Sequence, residues 1–147
     1  MPAINRSALV MHSAAQMYEL INEVLSYPEF LPGCLDSKIV ESLNDKMVAS
    51  LLVSKGGIQK WFTTENTLIK DHKIIMNLKD GPFRKLTGHW LLTPLSDTAC
   101  KVSLELDYEF SSKVIEVAFG KVFQNLTNNM INAFTDRAKE VYTANAS

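Results

Sequence analysis

The histidines and cysteines are the side chains of this sequence whose chemistry could bind a metal ion or supply a nucleophile. His12, His72 and His89 are widely separated, and none of them has a second ligand at the spacing that a metal site uses. We interpret His72 as a turn residue and His89 as an exposed or hydrogen-bonded residue on a strand. Cys34 and Cys100 are too few and too distant to indicate a disulfide framework or a zinc site. We therefore expect no metal and two reduced, structural thiols.

The most regularly spaced carboxylates belong to Glu105, Asp107 and Glu109, which alternate along one stretch with strand periodicity. Because catalytic carboxylates normally lie in a cleft that shifts their pKa values, we interpret this row as a solvated outer face. The sequence contains no nucleophile elbow, no phosphate-binding loop and no dinucleotide-binding glycine motif. Gly56–Gly57 fits a hairpin turn, since a strand rather than a helix follows it. The residues therefore predict a protein that is not an enzyme.

The composition is ordinary for a globular domain, with 147 residues of which 46% are hydrophobic and 21% charged. This length predicts a single domain, residues 1–147, that is large enough to bury a core. No apolar run approaches the roughly 18 residues of a membrane helix, and the N-terminal stretch has no signal-peptide pattern. We therefore expect a cytoplasmic protein. The formal net charge is −1 and the basic residues are scattered, so we predict no binding to DNA.

The elements that would position these residues follow from the periodicity of the apolar side chains. Residues 3–11 are predicted to form a first strand. Ser13 and Gln16 then form a capping box at the start of a helix, whose apolar residues recur at helical spacing. We predict that Pro28 ends this helix, because a proline restricts the preceding residue, Tyr27, to an extended conformation.

The rest of the chain predicts strands followed by one long helix. Residues 35–110 contain strand patterns joined by turns that are too short for crossovers, which makes the strands antiparallel. Ser111 is the predicted N-cap of a helix that reaches about Tyr142 and is roughly 45 Å long. Such a helix needs a broad apolar surface, and the inner face of the sheet provides it. We predict an α+β helix-grip fold, in which a curved antiparallel sheet of six to seven strands wraps around the C-terminal helix and one helix follows the first strand.

A straight helix cannot contact a strongly curved sheet everywhere, so this fold predicts an apolar cavity between them. Large apolar residues in unusual places agree with a cavity. Trp61 and Phe62 are adjacent on one strand, so one of them must leave the core. The segment "YPEFLP" places Tyr27 directly before one proline, and Phe30 and Leu31 between that proline and a second one. The alternative is that these aromatic residues only close the ends of an ordinary core.

Four stretches of the sequence closely resemble a known family. They are "NRSALVMHSAAQMYELINEVLSYPEFLPGC", "GPFRKLTGHW", "LDYEF" and "FTDRAKEVY", and the resemblance covers residues 2–142. They resemble the coenzyme-Q-binding START-like family of the polyketide cyclase/dehydrase superfamily, which includes mitochondrial coenzyme Q chaperones and bacterial ribosome association toxins. The resemblance implies a helix-grip fold around a lipid-accessible cavity, without cofactor or catalytic residues.

The resemblance also predicts a lid over the mouth of the cavity. We expect the family's proline-flanked motif and the "GPF" turn to form it, through Tyr27, Pro28, Phe30, Leu31, Pro32 and Phe83. Two prolines would hold the lid rigid at small entropic cost. The alternative is that the same residues seal the core. Gly33 stands where the family commonly has tryptophan, which we expect to affect ligand affinity and not the fold.

Our leading hypothesis is a non-enzymatic carrier of ubiquinone or a similar isoprenoid lipid that supports respiration, with the quinone as ligand and not as cofactor. Burial contributes about 0.8 kcal/mol per CH₂ group, so one isoprene unit adds a few kcal/mol of binding energy. We expect the Tyr108 hydroxyl to meet a quinone carbonyl. The expected cavity wall consists of Phe62, Met76, Leu86, Trp90, Leu104, Tyr108, Phe119, Phe123 and Met130.

Three alternatives stay open. The resemblance to the bacterial toxins implies binding to the large ribosomal subunit and a block of subunit association, for which we expect contacts from Lys60, Arg84 and Lys85. A cyclase-type enzyme on the same fold would need a convergent acid/base group, which the sequence does not indicate. An apolar lid also leaves transient contact with a membrane surface open, at the inner face of the bacterial membrane.

Overall fold

The structure is a computed structural model that describes residues 3–55 and 57–143. A 3-10 turn over Val24–Ser26 joins the first two helices, and a π turn over Lys139–Thr143 extends the last one. The strands and α-helices are β1 Ala3–Val10, α1 Ala14–Asn22, α2 Tyr27–Phe30, β2 Cys34–Ser42, β3 Lys46–Lys55, β4 Ile58–Ile69, β5 Lys73–Asp80, β6 Phe83–Ser96, β7 Ala99–Phe110 and α3 Lys113–Ala138.

The strands form one seven-stranded sheet in the order β1-β7-β6-β5-β4-β3-β2. Each neighbouring pair is antiparallel, so β2 to β7 are a meander and the first strand joins the sheet beside the last. Five register irregularities interrupt the ladders, with the extra residues on β2, β5 and β6. Such bulges increase local twist and bend a sheet. The predicted α+β helix-grip architecture is confirmed.

The start of α1 follows the prediction, whereas its end does not. Ser13 Oγ accepts a hydrogen bond from the Gln16 amide at 3.1 Å, and Gln16 Oε1 accepts one from the Ser13 amide at 2.9 Å. However, α1 already ends at Asn22, and Tyr27 is helical, with φ −53° and ψ −43°. The predicted extended conformation of Tyr27 is therefore wrong. Pro28 lies in the first turn of α2, where its missing N–H has no intrahelical acceptor to lose.

The long helix α3 begins one residue later than predicted, because Ser112 and not Ser111 is its N-cap. Ser112 Oγ accepts a hydrogen bond from the amide of Ile115 at 3.2 Å. The helix has 26 residues and is therefore about 39 Å long. It contacts β1, β3, β7 and α1. Its buried side chains recur every three or four positions and are Phe119, Val122, Phe123, Leu126, Thr127, Met130, Ile131, Phe134 and Ala138.

The two faces of the sheet differ as the alternation predicts. On β7 every second residue from Cys100 to Phe110 is buried, and the residues between them are exposed or half-buried. On β4, Phe62 points into the core while its neighbour Trp61 is 39% exposed on the outer face. Lys38 Nζ lies 4.7 Å from the centre of the Trp61 ring, a cation–π contact. The inner face and α3 thus enclose the core.

Candidate functional site

An apolar cavity of about 60 Å³ lies between α3 and the middle of the sheet. Its walls come from three regions of the chain: the inner face of β3 to β7, the buried side of α3, and the segment from α1 to α2. The side chains that line it are Ile21, Asn22, Val24, Tyr27, Ala49, Leu51, Phe62, Thr64, Asn66, Ile74, Met76, Leu86, Trp90, Leu106, Phe123, Leu126, Thr127 and Met130.

Gly88 accounts for the position of the cavity along the sheet. It pairs with Met76 on β5 and with Leu106 on β7, so these three residues form one row across the sheet. Leu86 and Trp90 flank Gly88 on the same face of β6, and all four neighbours line the cavity. Since glycine adds no side chain between them, the inner face is thinnest at this point.

One wall of the cavity is polar. Thr64, Asn66 and Thr127 are 8%, 9% and 2% exposed. Thr64 Oγ1 donates a hydrogen bond to Asn66 Oδ1 at 2.8 Å, and Thr127 Oγ1 donates one to the Phe123 carbonyl at 3.1 Å. Sequence reasoning missed this wall. The available signal was that two polar residues of β4 have the same parity as inward-facing Phe62.

The structure brings most of the expected cavity wall together, but not all of it. Phe62, Met76, Leu86, Trp90, Phe123 and Met130 line the cavity. Leu104, Tyr108 and Phe119 do not, although all three are buried. Leu104 pairs with Trp90, one step along the sheet from the Gly88 row, and Leu106 takes the expected place of Leu104.

Tyr108 and Phe119 belong instead to an aromatic cluster beside the cavity, which includes Phe83, Phe110 and Phe123. The Tyr108 ring centre lies 4.8 Å from that of Phe123 and 5.5 Å from that of Phe110. Burial raises the pKa of Tyr108. Because this side chain does not line the cavity, the expected contact between its hydroxyl and a ligand carbonyl has no support in the structure.

The segment expected to be a lid packs mostly against α3. The rings of Tyr27 and Phe30 each lie edge-on to Phe134, with ring centres 5.2 Å apart. The Tyr27 hydroxyl donates a hydrogen bond to the carbonyl of Ile21, and burial raises the Tyr27 pKa. Leu31 is buried too. Tyr27 is the one residue of the expected lid that lines the cavity.

The flanking prolines and Phe83 do not complete a lid over that cavity. Pro28 is half-buried and Pro32 exposed. The Phe83 ring lies 4.9 Å from that of Phe123, eleven residues before Phe134 on α3, which is about 16 Å along the helix. Phe83 and Tyr27 therefore pack against different positions along α3, so they do not lie together at one entrance of the cavity.

The glycine that replaces the family's tryptophan has a conformational reason. Gly33 adopts φ +89°, in the left-handed region that side-chain-bearing residues rarely occupy. It precedes β2, and its carbonyl accepts a hydrogen bond from the Ser54 amide at 2.9 Å. The backbone in this chain is thus suited to glycine at this position, and a tryptophan would be strained there.

Arg137 ties α2 to the end of α3. Its Nη2 lies 3.4 Å from Glu29 Oε1 and its Nη1 lies 3.7 Å from Glu140 Oε2. The guanidinium group also lies 5.1 Å from the centre of the Phe30 ring. These contacts hold the proline-flanked segment against the helix, so the "FTDRAKEVY" stretch has a structural role here.

The outer face of β6 and β7 carries a ladder of ion pairs. Arg84 Nη1 lies 2.6 Å from Glu109 Oε1, Lys85 Nζ lies 2.8 Å from Asp107 Oδ2, and His89 Nε2 lies 3.1 Å from Glu105 Oε2. The alternating carboxylates are therefore paired with basic groups on an open surface. Among the expected ribosome contacts, Arg84 and Lys85 belong to this ladder, whereas Lys60 is exposed on β4.

Residues 3–55 and 57–143 contain neither a cluster of metal-ligating side chains nor a membrane-spanning helix. Within these ranges no group of three or more His, Cys, Asp or Glu residues is arranged to hold a metal ion. No helix in the same ranges has the length and hydropathy to cross a membrane.

Known proteins resemble this chain over nearly its whole length. It is 58% identical over 144 residues to the ribosome association toxin RatA of Escherichia coli, a match that covers 98% of this chain and 91% of that protein. It is 28% identical over 140 residues to the mitochondrial coenzyme Q-binding protein coq10 of Schizosaccharomyces pombe, covering 90% and 84% of the two chains. The predicted resemblance is thus confirmed.

Solved structures share the fold at low sequence identity. The Zhui aromatase/cyclase of a Streptomyces species superimposes with a TM-score of 0.81 at 18% identity, covering 94% of this chain and 93% of the other. A START superfamily protein of Mycobacterium smegmatis gives 0.78 at 19% identity, covering 95% and 98%. The family model described as polyketide cyclase/dehydrase and lipid transport matches residues 10–135. This chain, with its helix-grip fold and internal cavity, belongs to that family.

Proposed function

We propose that this chain is a non-enzymatic, ribosome-associating toxin of the cytoplasm, which binds the large ribosomal subunit and blocks subunit association. One observation carries the proposal: the 58% identity, over 98% of the chain, to a protein named ribosome association toxin. The relative named for coenzyme Q binding is 28% identical. Sequence identity above half over nearly the full length is stronger evidence for a shared partner than similarity of fold alone.

The charges on the outer face of the sheet constrain how such a contact would form. Arg84 and Lys85 already have carboxylate partners, so binding to RNA would exchange Glu109 and Asp107 for phosphate oxygens. Lys60 has no ion pair among the described residues. With a net charge of −1, the chain is suited to a local contact and not to unspecific RNA binding.

The experiment is co-sedimentation with purified large and small ribosomal subunits at increasing salt concentration. We expect binding to the large subunit, and fewer joined ribosomes when both subunits are present. A variant with Arg84→Glu and Lys85→Glu is expected to bind more weakly. Lys101→Glu, on the exposed face of β7, is the matched control. No binding to either subunit would refute the proposal, and equal loss in both variants would refute the assignment of the contact.

We also propose, as a second function, that the cavity binds an apolar ligand such as ubiquinone or a related isoprenoid. The apolar cavity under α3 favours this, and the relative named for coenzyme Q binding supports it. The volume of about 60 Å³ is smaller than the cavity of about 150 Å³ that binds benzene in an engineered protein. A quinone ring would therefore enter only if α3 moves away from the sheet.

Fluorescence of Trp90 in the cavity wall can test this second function. The chain has two tryptophans, so Trp61→Phe on the outer face leaves Trp90 as the one reporter. We expect added ubiquinone with one isoprene unit to quench Trp90 in a saturable manner. Organic extraction and mass spectrometry of the protein from a quinone-producing bacterium provide the second measurement. An empty extract together with unchanged Trp90 emission would refute ligand binding.

A further inference from the structure

The strand β2 forms one edge of the sheet, and among residues 3–55 and 57–143 its outer side has no partner strand. Its one neighbour there is β3, so a row of its main-chain N–H and C=O groups is open. Such a row can pair with another extended segment. Seven of the nine residues of β2 are exposed, so their side chains are also accessible to a partner.

Exposed apolar side chains are concentrated along this edge. Leu35, Ile39 and Val40 on β2 are 54%, 37% and 60% exposed. Leu43, directly after the strand, is 54% exposed, and Leu25 in the 3-10 turn that contacts β2 is 63% exposed. Single exposed apolar residues are ordinary on a protein surface, whereas a group of them along one open edge is typical of a protein–protein contact.

The charged residues of β2 share one face of the sheet. Lys38 pairs with Ser50 on β3 and Glu41 pairs with Val48, two positions away on that strand, so Lys38 and Glu41 point to the same side. The extra residue between Ile39 and Glu41 makes this possible, because it shifts the alternation by one position. A strand with charges of one sign would repel its own copy, but this face carries both signs.

These charges fit a second copy of the same strand in the antiparallel direction. A pair of β2 strands centred between Ile39 and Val40 places Lys38 of each copy opposite Glu41 of the other copy. The same pairing places Ile39 opposite Val40. Opposite charges and apolar side chains directly across from each other stabilise a strand pair. Because the arrangement has two-fold symmetry, each contact forms twice and the assembly closes at the dimer.

We propose that β2 is a self-association surface, through which two copies of this chain pair as antiparallel edge strands into one continuous sheet of fourteen strands. Pairing of β2 with the other edge strand, β1, would be heterologous and would extend from copy to copy. The dimer leaves the ion-pair ladder open, because β6 is four strands away from β2 in the sheet. The inference goes beyond the proposed function and does not depend on it.

Sedimentation equilibrium of the full chain over a concentration series tests this pairing. We expect the mass to rise from the 16.5 kDa of one chain to twice that value. Lys38→Glu and Glu41→Lys each place like charges opposite each other at two positions, so each is expected to weaken dimerisation at least about tenfold. Lys101→Glu, on the exposed face of β7, is the matched control and should leave the dimer unchanged.

The two charge reversals complement each other when the variants are mixed. A Lys38→Glu chain paired with a Glu41→Lys chain regains both pairs of opposite charges, so the mixture should dimerise where neither variant does alone. Amide hydrogen exchange over residues 38–41 of the wild type should slow as the dimer forms. Lys38→Glu also removes the contact with Trp61, so thermal unfolding is measured to confirm that each variant is folded.

A wild-type chain that stays monomeric throughout the series overturns the proposal. A dimer that both reversals leave intact also overturns it, because its contact then lies elsewhere. Failure of the mixed variants to dimerise overturns the pairing of Lys38 with Glu41. If exchange over residues 38–41 slows only when large ribosomal subunits are added to a monomeric chain, the edge binds a ribosomal partner and not a second copy.

Discussion

The main chain of Gly88 on β6 lies so close to β7 that a Cβ atom on residue 88 would be 2.2 Å from the carbonyl oxygen of Glu105. The same atom would lie 2.6 Å from Leu106 Cδ2. Since the carbonyl belongs to a paired strand, it cannot give way without disturbing the ladder. We predict that Gly88→Ala lowers the free energy of unfolding by about 2–3 kcal/mol, measured by urea denaturation.

Gly120 on α3 provides the control for that substitution. A Cβ atom there would lie 3.8 Å from Phe110 Cε2, an ordinary van der Waals contact. Because alanine loses less backbone entropy than glycine in a helix, Gly120→Ala should raise the free energy of unfolding by about 1 kcal/mol. Similar effects of both substitutions would contradict the close approach at Gly88.

Cys34 predicts how stability changes in alkaline solution. Burial, together with the nearby charge of Asp36, raises the pKa of Cys34 from 9.0 to about 11. The folded chain thus keeps a proton that the unfolded chain releases, so the stability from this thiol is complete below pH 9 and is lost as the pH rises towards 11. We predict that the cost of Cys34→Ala, measured by urea denaturation, is about 1 kcal/mol smaller at about pH 10.5 than at about pH 7.5, because screening by solvent reduces the full effect of the shift. Equal costs at both values would contradict the raised pKa.

The ion-pair ladder predicts the response of ribosome binding to removal of acidic residues. Glu109→Gln and Asp107→Asn free Arg84 and Lys85 for contact with phosphates. Because surface ion pairs contribute little, we expect stability to change by no more than about 1 kcal/mol. Affinity for the large subunit at low salt should rise, with a steeper salt dependence. Sedimentation over a salt series measures this, and unchanged affinity would exclude Arg84 and Lys85 as contacts.

Filling the cavity tests the location of the proposed ligand. Ala49 lines the cavity and is 5% exposed, so Ala49→Val adds two carbon atoms to a space of about 60 Å³. We predict at least tenfold weaker ubiquinone binding, with stability altered by about 1 kcal/mol. Ala118→Val makes the same substitution on the exposed side of α3 and is the control. Fluorescence titration checks the first effect, and undiminished binding in Ala49→Val would contradict the location of the ligand.

Sequence reasoning predicted the architecture because periodicity reports which face of an element is buried. The alternation along β7 and the apolar spacing along α3 were sufficient for this. The position of the cavity along the strands was not predictable in the same way. Alternation shows that Leu104 and Leu106 both face inward, but not which of them lines the cavity. That choice depends on the cross-strand position of Gly88, and therefore on pairing registers that include bulges.

Local rules failed where tertiary contacts outweigh them. The residue before a proline is disfavoured in helical conformation, yet Tyr27 is helical. Its buried ring packs against Phe134 and its hydroxyl bonds to Ile21. Asn66 was missed because polar residues on a strand usually indicate the exposed face, and only the parity of the strand shows that it points inward.

The pairing of β1 with β7 has a consequence for the order in which the chain assembles. Ala3 pairs with Asp107 and Val10 with Cys100, so β1 can join the sheet only after β7 has been synthesised. Contacts between residues so far apart in the sequence slow folding. At a synthesis rate of about 5–20 residues per second, several seconds also pass between the synthesis of β1 and that of β7. A nascent chain therefore exposes its first strand during most of its synthesis. Closure of the sheet, and the burial of α3 upon it, are expected to be late events that a chaperone at the ribosome exit could accompany.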